Sequence, residues 1–222
     1  MSEEKIMTGQ ENVEYMPEAD AEEEQERRHV VKFKRPYLFE RKEYTEVDLS
    51  GLDKLTVADA IEVQRQLFNQ KEVAASLLTE TTTAFAQALA TRASGKPVEF
   101  FKLMKKPFYR PVFRHVQESV LSVEKGTENH VMQLEKPYFF DGKTYTEIDL
   151  NGIADLSSMH DCAAENRMAR EGFMVTETSF NYLYACVIAS MATGLSEEFF
   201  TGLPICETVK LKNAVNDGSF FE

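Results

Sequence analysis

The sequence has no tryptophan and no long apolar run. A membrane-spanning helix needs about 20 consecutive, predominantly apolar residues, and no stretch of this chain approaches that length. The first ten residues, MSEEKIMTGQ, lack the basic segment and following apolar stretch that are typical of a secretory signal. We therefore expect no membrane partner.

Cysteine is scarce, and its placement excludes the usual cysteine chemistry. Cys162, Cys186 and Cys206 are odd in number, and their spacings match no metal-ligand or redox motif. We expect Cys162 to be a small buried hydrophobe. Free thiols favour a reducing cytoplasm as the compartment.

Positive charge is also scarce, and the negative charge is concentrated at one end. The net charge is −12, but residues 1–26 hold ten acidic side chains against one base, Lys5, so the remaining 196 residues carry only −3. We find no basic stripe in the sequence and expect no nucleic-acid partner. Residues 1–29 are predicted to form a disordered acidic tail that keeps the chain soluble. The alternatives are an interaction tail or, over AEEEQERR, the start of a helix.

A duplication is the clearest feature that the sequence does contain. PYLFERKEYTEVDLSGL, starting at Pro36, matches PYFFDGKTYTEIDLNGI, starting at Pro137, with ten of 17 positions identical at a constant offset of 101. Further on, Gly95 corresponds to Gly194 at an offset of 99. A Phe-Phe pair follows each of these glycines. Because the order of features is retained, the chain carries one module twice.

Each copy of the matching segment predicts a β-hairpin. Asp141 and Gly142 lie between two aromatic and β-branched runs, and Asp-Gly is a preferred two-residue hairpin turn. The first copy has Glu40 and Arg41 there, so its loop is expected to differ. A proline within the first strand of each copy predicts an edge strand.

Helical patterns follow each hairpin. Thr56 and Asp59 form a capping signature for the first helix. In the first copy, the later helices are predicted over 81–94, from Pro97 onward, and over 111–121. In the second copy, they are predicted over 179–193, from Ser196 onward, and over 207–215. The fold class is therefore α+β, mostly helical, with two tandem modules, each a hairpin followed by about four helices. We place the modules at 30–123 and 131–222, with a polar linker over 124–130.

Few residues offer catalytic chemistry. The common hydrolase, metalloprotease and nucleotide-binding motifs are absent, and we find no histidine that recurs between the copies. Two pairs of strand carboxylates do recur, and they either perform acid–base or cation chemistry or form the solvated face of a strand. These four are Glu46, Asp48, Glu147 and Asp149. We expect no catalytic residue, no metal site and no cofactor.

Aromatic side chains are the candidate partner-binding residues. Adjacent phenylalanines on a helix point about 100° apart, so either one member of each pair is exposed to a partner or both are enclosed in the core. The first copy adds further aromatics in KKPFYRPVF. The candidates are Phe100, Phe101, Phe108, Tyr109, Phe113, Phe199 and Phe200.

The order of these features resembles the tail assembly chaperones of long-tailed bacteriophages and prophages. The resemblance lies in LEKPYFFDGKTYTEIDL from Leu134, in ASMATGLSEEFF ending at Phe200, and in LKNAVNDGSFF from Leu211. Members usually have one module, and many have an Arg and a Pro after the second strand, where this chain has Ser50-Gly51 and Asn151-Gly152.

The resemblance implies a non-catalytic protein of the host cytoplasm, with a capacity for self-association. It would bind the tape measure protein until tail tube subunits polymerise around it, and it would be absent from the mature virion. The alternatives are a structural or completion component of the tail and, in another class, a small hydrolase or metal-binding protein.

Overall fold

The computed structural model describes residues 28–70, 79–121, 124–173, 175 and 178–221. Most of the predicted acidic tail lies outside the described residues. The described part is a mixed α+β fold, as predicted, with a two-stranded sheet, a three-stranded sheet and eight α-helices.

The first module begins with its hairpin and continues through four helices. Its elements are β1 (Val30–Phe39), β2 (Lys42–Asp48), a 3-10 turn (Ser50–Lys54), α1 (Val57–Asn69), α2 (Thr83–Ser94), α3 (Val98–Lys102) and α4 (Lys106–Leu121). The helix predicted from Pro111 begins five residues earlier, at Lys106, and Pro111 lies inside it.

The second module repeats this order after one additional strand. Its elements are β3 (Thr127–Glu128), β4 (Val131–Phe140), β5 (Lys143–Asp149), a 3-10 turn (Asn151–Asp155), α5 (Ser158–Arg170), α6 (Tyr182–Thr193), α7 (Glu197–Thr201) and α8 (Thr208–Val215). β3 pairs with β4 and lies within 124–130, so the segment predicted as a linker belongs to the second sheet.

The two hairpins have the same register and the same turn length. Tyr37 lies opposite Tyr44, and Tyr138 lies opposite Tyr145. The first turn adopts left-handed conformations at Glu40 (φ 49°) and Arg41 (φ 65°), as the second does at Asp141 and Gly142. The expected difference between the loops is therefore wrong, because the strand register imposes the turn on both copies.

The recurring prolines occupy a wide bulge. In β1, residues 33–36 lie opposite one residue, Thr45, because pairing passes from Lys32–Glu46 to Tyr37–Tyr44. The same irregularity separates Gln133 from Tyr138 in β4. The expectation of an edge strand is wrong for Pro137, because β4 lies between β3 and β5. Proline cannot donate a ladder hydrogen bond, and it is tolerated in β4 because the bulge interrupts the ladder there.

Two recurring glycines let the 3-10 turns contact the helices. A Cβ added at Gly51 would lie 2.1 Å from the Ala93 carbonyl oxygen, and one added at Gly152 would lie 2.2 Å from that of Ala192. Only glycine allows this approach, which holds each hairpin against the end of α2 or α6.

The cores of the two modules are joined. Tyr182, Ile205 and Val209 of the second module pack in the first core, and Val57 of the first module packs in the second. Backbone hydrogen bonds also cross the boundary, from Val57 N–H to the Leu203 carbonyl (2.9 Å) and from Ile205 N–H to the Leu55 carbonyl (3.0 Å). The modules therefore form one packed unit.

Candidate partner surface and titratable clusters

The structure places both phenylalanines of each pair in the core. Phe100, Phe199 and Phe200 are 0% exposed and Phe101 is 2% exposed. Phe108 and Phe113 are also buried, and Tyr109 is half-buried. The interpretation of these pairs as exposed contacts is therefore wrong, and the core alternative is right.

The hairpins explain why both members of a pair are enclosed. Edge-to-face contacts surround Phe100 with Tyr37, Phe39 and Tyr44, at centroid distances of 5.1, 5.2 and 4.9 Å. The Tyr37 hydroxyl donates to the Phe100 carbonyl at 2.8 Å. Phe101 points away from the hairpin toward Phe113 of α4. A short helix between a hairpin and a long helix thus buries two adjacent side chains. The equivalent tyrosine–phenylalanine cage surrounds Phe199.

Three of the four recurring carboxylates have structural partners. Asp48 accepts the Ser50 N–H at 2.8 Å, and Asp149 accepts the Asn151 N–H at 2.9 Å, so each one fixes the 3-10 turn that follows its strand. The hydrogen bonds from Asn151 lower the pKa of Asp149. Glu147 accepts from Gln133 across the hairpin. The described residues contain no group of three or more side chains placed to hold a metal ion.

The expectation that no histidine recurs is wrong. His29 and His130 are related by the same offset of 101, and their carbonyls accept the Leu49 and Leu150 N–H groups at 3.0 and 2.9 Å. The match begins seven residues before the Pro36 and Pro137 segments, and the constant offset was the signal that would have revealed it. Their side chains differ in environment. His29 is buried, whereas His130 stacks on Phe220 and hydrogen-bonds with Ser219.

His29 joins a chain of three titratable groups. Its Nδ1 lies 2.9 Å from His115 Nε2, and its Nε2 lies 3.3 Å from an Asp53 carboxylate oxygen. Burial, and then the neighbouring His29, lower the pKa of His115. A base and an orienting carboxylate are thus present, but nucleophilic catalysis also needs an activated hydroxyl or thiol. The Ser119 hydroxyl donates to the His115 carbonyl instead. The contacts among His29, His115 and Asp53 therefore connect the residue preceding β1 with α4 and the first 3-10 turn.

A buried polar network crosses the boundary between the modules. Glu80 pairs with Lys212 at 2.5 Å and accepts the Tyr182 hydroxyl at 2.7 Å. Gln64 donates to the Phe180 carbonyl and accepts the Tyr182 N–H. Burial and the Glu80 carboxylate raise the pKa of Tyr182. These groups provide one another with hydrogen-bond and ion-pair partners, which buried polar and charged groups require.

The cysteines do not all behave as expected. Cys162 is exposed, so the prediction of a buried side chain is wrong for it, whereas Cys186 is buried. Burial raises the pKa of the Cys186 thiol and raises that of Cys206 to about 11. Neither of these two thiols has the lowered pKa of a reactive cysteine.

The structure reveals an exposed apolar pair that the sequence reading missed. Leu38 and Phe139 are 64% and 69% exposed, and both immediately precede the last residue of their strand, at the tip of a hairpin. They occupy equivalent positions in the two modules. In the first module, Leu38 and exposed Leu103 line a groove of about 610 Å³ between the hairpin and the α3–α4 turn, with Arg35 and Lys105 also lining it. Strand alternation about the buried Tyr37 and Phe39 was the signal that pointed Leu38 outward.

Comparisons with known proteins give no relative. No family model matches the chain, and no curated protein or solved structure is significantly similar to it. Among the described residues, no helix is both long enough and apolar enough to cross a membrane.

Proposed function

We propose that this protein is a tail assembly chaperone of a long-tailed phage or prophage that binds the tape measure protein. It acts in the host cytoplasm without catalysis and leaves before the virion is complete. The order of elements in each module, a hairpin followed by four helices, supports the proposal because it agrees with the family pattern that the sequence resembles.

The observation that carries the proposal is the recurrence of an exposed apolar side chain at both hairpin tips. Single exposed hydrophobic residues are normal on a soluble protein. Leu38 and Phe139, however, occupy the same position in both copies, in hairpins whose register is otherwise identical. A tape measure protein is a long amphipathic helix, and such helices bind through apolar side chains spaced along one face.

The tandem arrangement strengthens such a contact. The shared core fixes the two tips on one body, so binding of one tip raises the effective concentration of the other. The groove beside Leu38 gives the first module a concave surface in which apolar side chains lie beside charged ones, as an amphipathic helix requires.

Capture of the tape measure protein tests the proposal. The full chain should co-purify with the tape measure protein encoded beside it. L38S/F139S should weaken binding roughly thirtyfold, since two lost apolar anchors of about 1 kcal/mol each sum to about 2 kcal/mol. The matched control is Met159→Ser, because Met159 is 79% exposed and belongs to α5 and to neither hairpin. Equal capture by the double variant and the control would contradict the assignment of the tips, and recovery of the protein in purified virions would favour a tail component.

A further inference from the structure

Charge is distributed very unevenly along the chain. Residues 1–27 contain ten acidic and two basic residues, a balance of −8. Residues 28–121 contain 16 basic and 11 acidic residues, a balance of +5, and residues 122–222 contain seven basic and 16 acidic residues, a balance of −9. The near-neutral charge expected of the folded part therefore conceals a basic first module between two acidic segments.

The basic charge forms a stripe on α4, contrary to the expectation from sequence that no such stripe exists. Lys106, Arg110 and Arg114 recur every fourth residue and are all exposed, so they lie along one side of the helix. Like charges at this spacing repel one another. Three more exposed cations border this helix, and we call the six side chains the basic face: Arg35, Lys102, Lys105, Lys106, Arg110 and Arg114.

The basic face is not neutralised by the part of the chain that the structure describes. Every ion pair found among those residues involves other cations. Arg35 lies over the Phe108 ring at 5.4 Å and lines the same groove as Lys105. The Arg35 guanidinium of β1 therefore lies beside the start of α4. Two carboxylates, Glu40 and Glu99, line the groove beside Arg35 and Lys105. The six cations outnumber them, and this excess of positive charge favours an anionic occupant.

The N-terminal segment enters the fold at α4. His29 contacts His115 at 2.9 Å, and the His115 side chain projects about 100° around the helix from that of Arg114. At about 1.5 Å rise per residue, Lys106 lies about 12 Å along the helix from Arg114. A 26-residue segment can span several times that distance at about 3.3 Å per residue.

We propose that the acidic segment, residues 1–26, covers the basic face of its own chain. Opposite charges attract at short range, and the covalent connection keeps the carboxylates at a high effective concentration beside the cations. The segment thereby also covers the rim of the apolar groove, because Arg35 and Lys105 belong to both. Nucleic acid is a weaker occupant, since the whole chain carries −12.

Zero-length cross-linking of the full chain tests the contact. A carbodiimide joins carboxylates to lysine amines, and peptide mass spectrometry locates the products. Cross-links from Glu18–Glu26 should concentrate on Lys102, Lys105 and Lys106, and should fall about fivefold or more in about 0.5 M NaCl, where screening is strong. Exposed Lys143, at the tip of the second hairpin, is the internal control and should remain weakly linked.

A charge-reversed variant distinguishes binding of the acidic segment from binding of another occupant. R110E/R114E should lose the cross-links even at low salt with an unchanged circular dichroism spectrum, whereas K143E should keep them. If the variant does not fold, the salt series on the unaltered chain decides. Cross-links spread evenly over all exposed lysines, or found only in a covalent dimer, would overturn the proposal. So would a duplex oligonucleotide that binds the unaltered chain and not the variant.

Discussion

Two residues of the first hairpin turn are held in a conformation that their side chains disfavour. Glu40 and Arg41 both have positive φ, whereas the second turn places Gly142 at the position of Arg41. A left-handed conformation costs a residue with a side chain about 1–2 kcal/mol relative to its preferred regions. The same turn forms in both copies because the flanking pairs Phe39–Lys42 and Phe140–Lys143 fix it.

Replacing Arg41 with glycine should stabilise the protein. R41G removes the left-handed penalty, and we expect the free energy of unfolding to rise by about 0.5–1 kcal/mol. Urea denaturation measures the change. The reciprocal variant Gly142→Arg should lower the free energy by about 1 kcal/mol. A loss of stability in R41G would mean that the Arg41 guanidinium makes a contact that stabilises the protein by more than the left-handed conformation costs.

At the scale of the elements, the sequence predicted what depends on local chemistry. The capping box of α1 forms between Thr56 and Asp59, and α2 and α6 end at left-handed Gly95 and Gly194, as expected. The last helix of the first module is predicted from residue 111, whereas α4 begins at Lys106 and has Pro111 in its interior. β3 was missed because two residues carry no periodicity and form a strand only by pairing with β4.

The candidate site was less predictable than the fold. Adjacent phenylalanines do not specify their own exposure, because enclosure of α3 and α7 depends on hairpins distant in the sequence. Cys162 aligns with Ile61, which packs against both cores at the boundary between the modules. The equivalent position on α5 faces solvent, so the alignment predicted burial that only the first copy has.

The glycines of the 3-10 turns provide a test at this scale. Gly51→Ala and Gly152→Ala should each lower the free energy of unfolding by about 2–3 kcal/mol, because the added methyl group would overlap a helix carbonyl. Gly126→Ala is the matched control, since its Cβ would meet no atom within 4 Å, and we expect a change within about 0.5 kcal/mol. Thermal denaturation distinguishes the outcomes. Equal effects at the three positions would show that close packing of these turns does not hold the hairpins.

For the whole molecule, the two modules pair through surfaces that are not equivalent. α1 presents Val57, Ile61 and Phe68 to the second core. The corresponding positions on α5 are Ser158, Cys162 and Ala169, all exposed and small. The second module therefore does not repeat the apolar face through which the first module binds it, and the pairing is specific to this one boundary.

The ion pair across this boundary should be essential to stability. Glu80→Ala leaves Lys212 buried without its carboxylate and Tyr182 without its acceptor, and we expect a loss of about 3–5 kcal/mol with both modules unfolding together. Glu171→Ala is the control, because Glu171 forms partly exposed ion pairs with Arg167 and, across the same boundary, with Arg65. We expect each of these exposed pairs to contribute at most about 1 kcal/mol. Two separate transitions in calorimetry of the unaltered chain would contradict a shared core.

The proposed function requires this protein to keep an otherwise insoluble tape measure protein in solution. Co-expression with the tape measure protein measures it most directly, by the fraction of tape measure protein that stays in solution after centrifugation. We expect this fraction to rise from a few per cent to most of the protein, and to stay high at about 0.5 M NaCl, because apolar contacts are not screened by salt. An unchanged soluble fraction of the tape measure protein, with this protein itself folded and abundant, would contradict the proposed function.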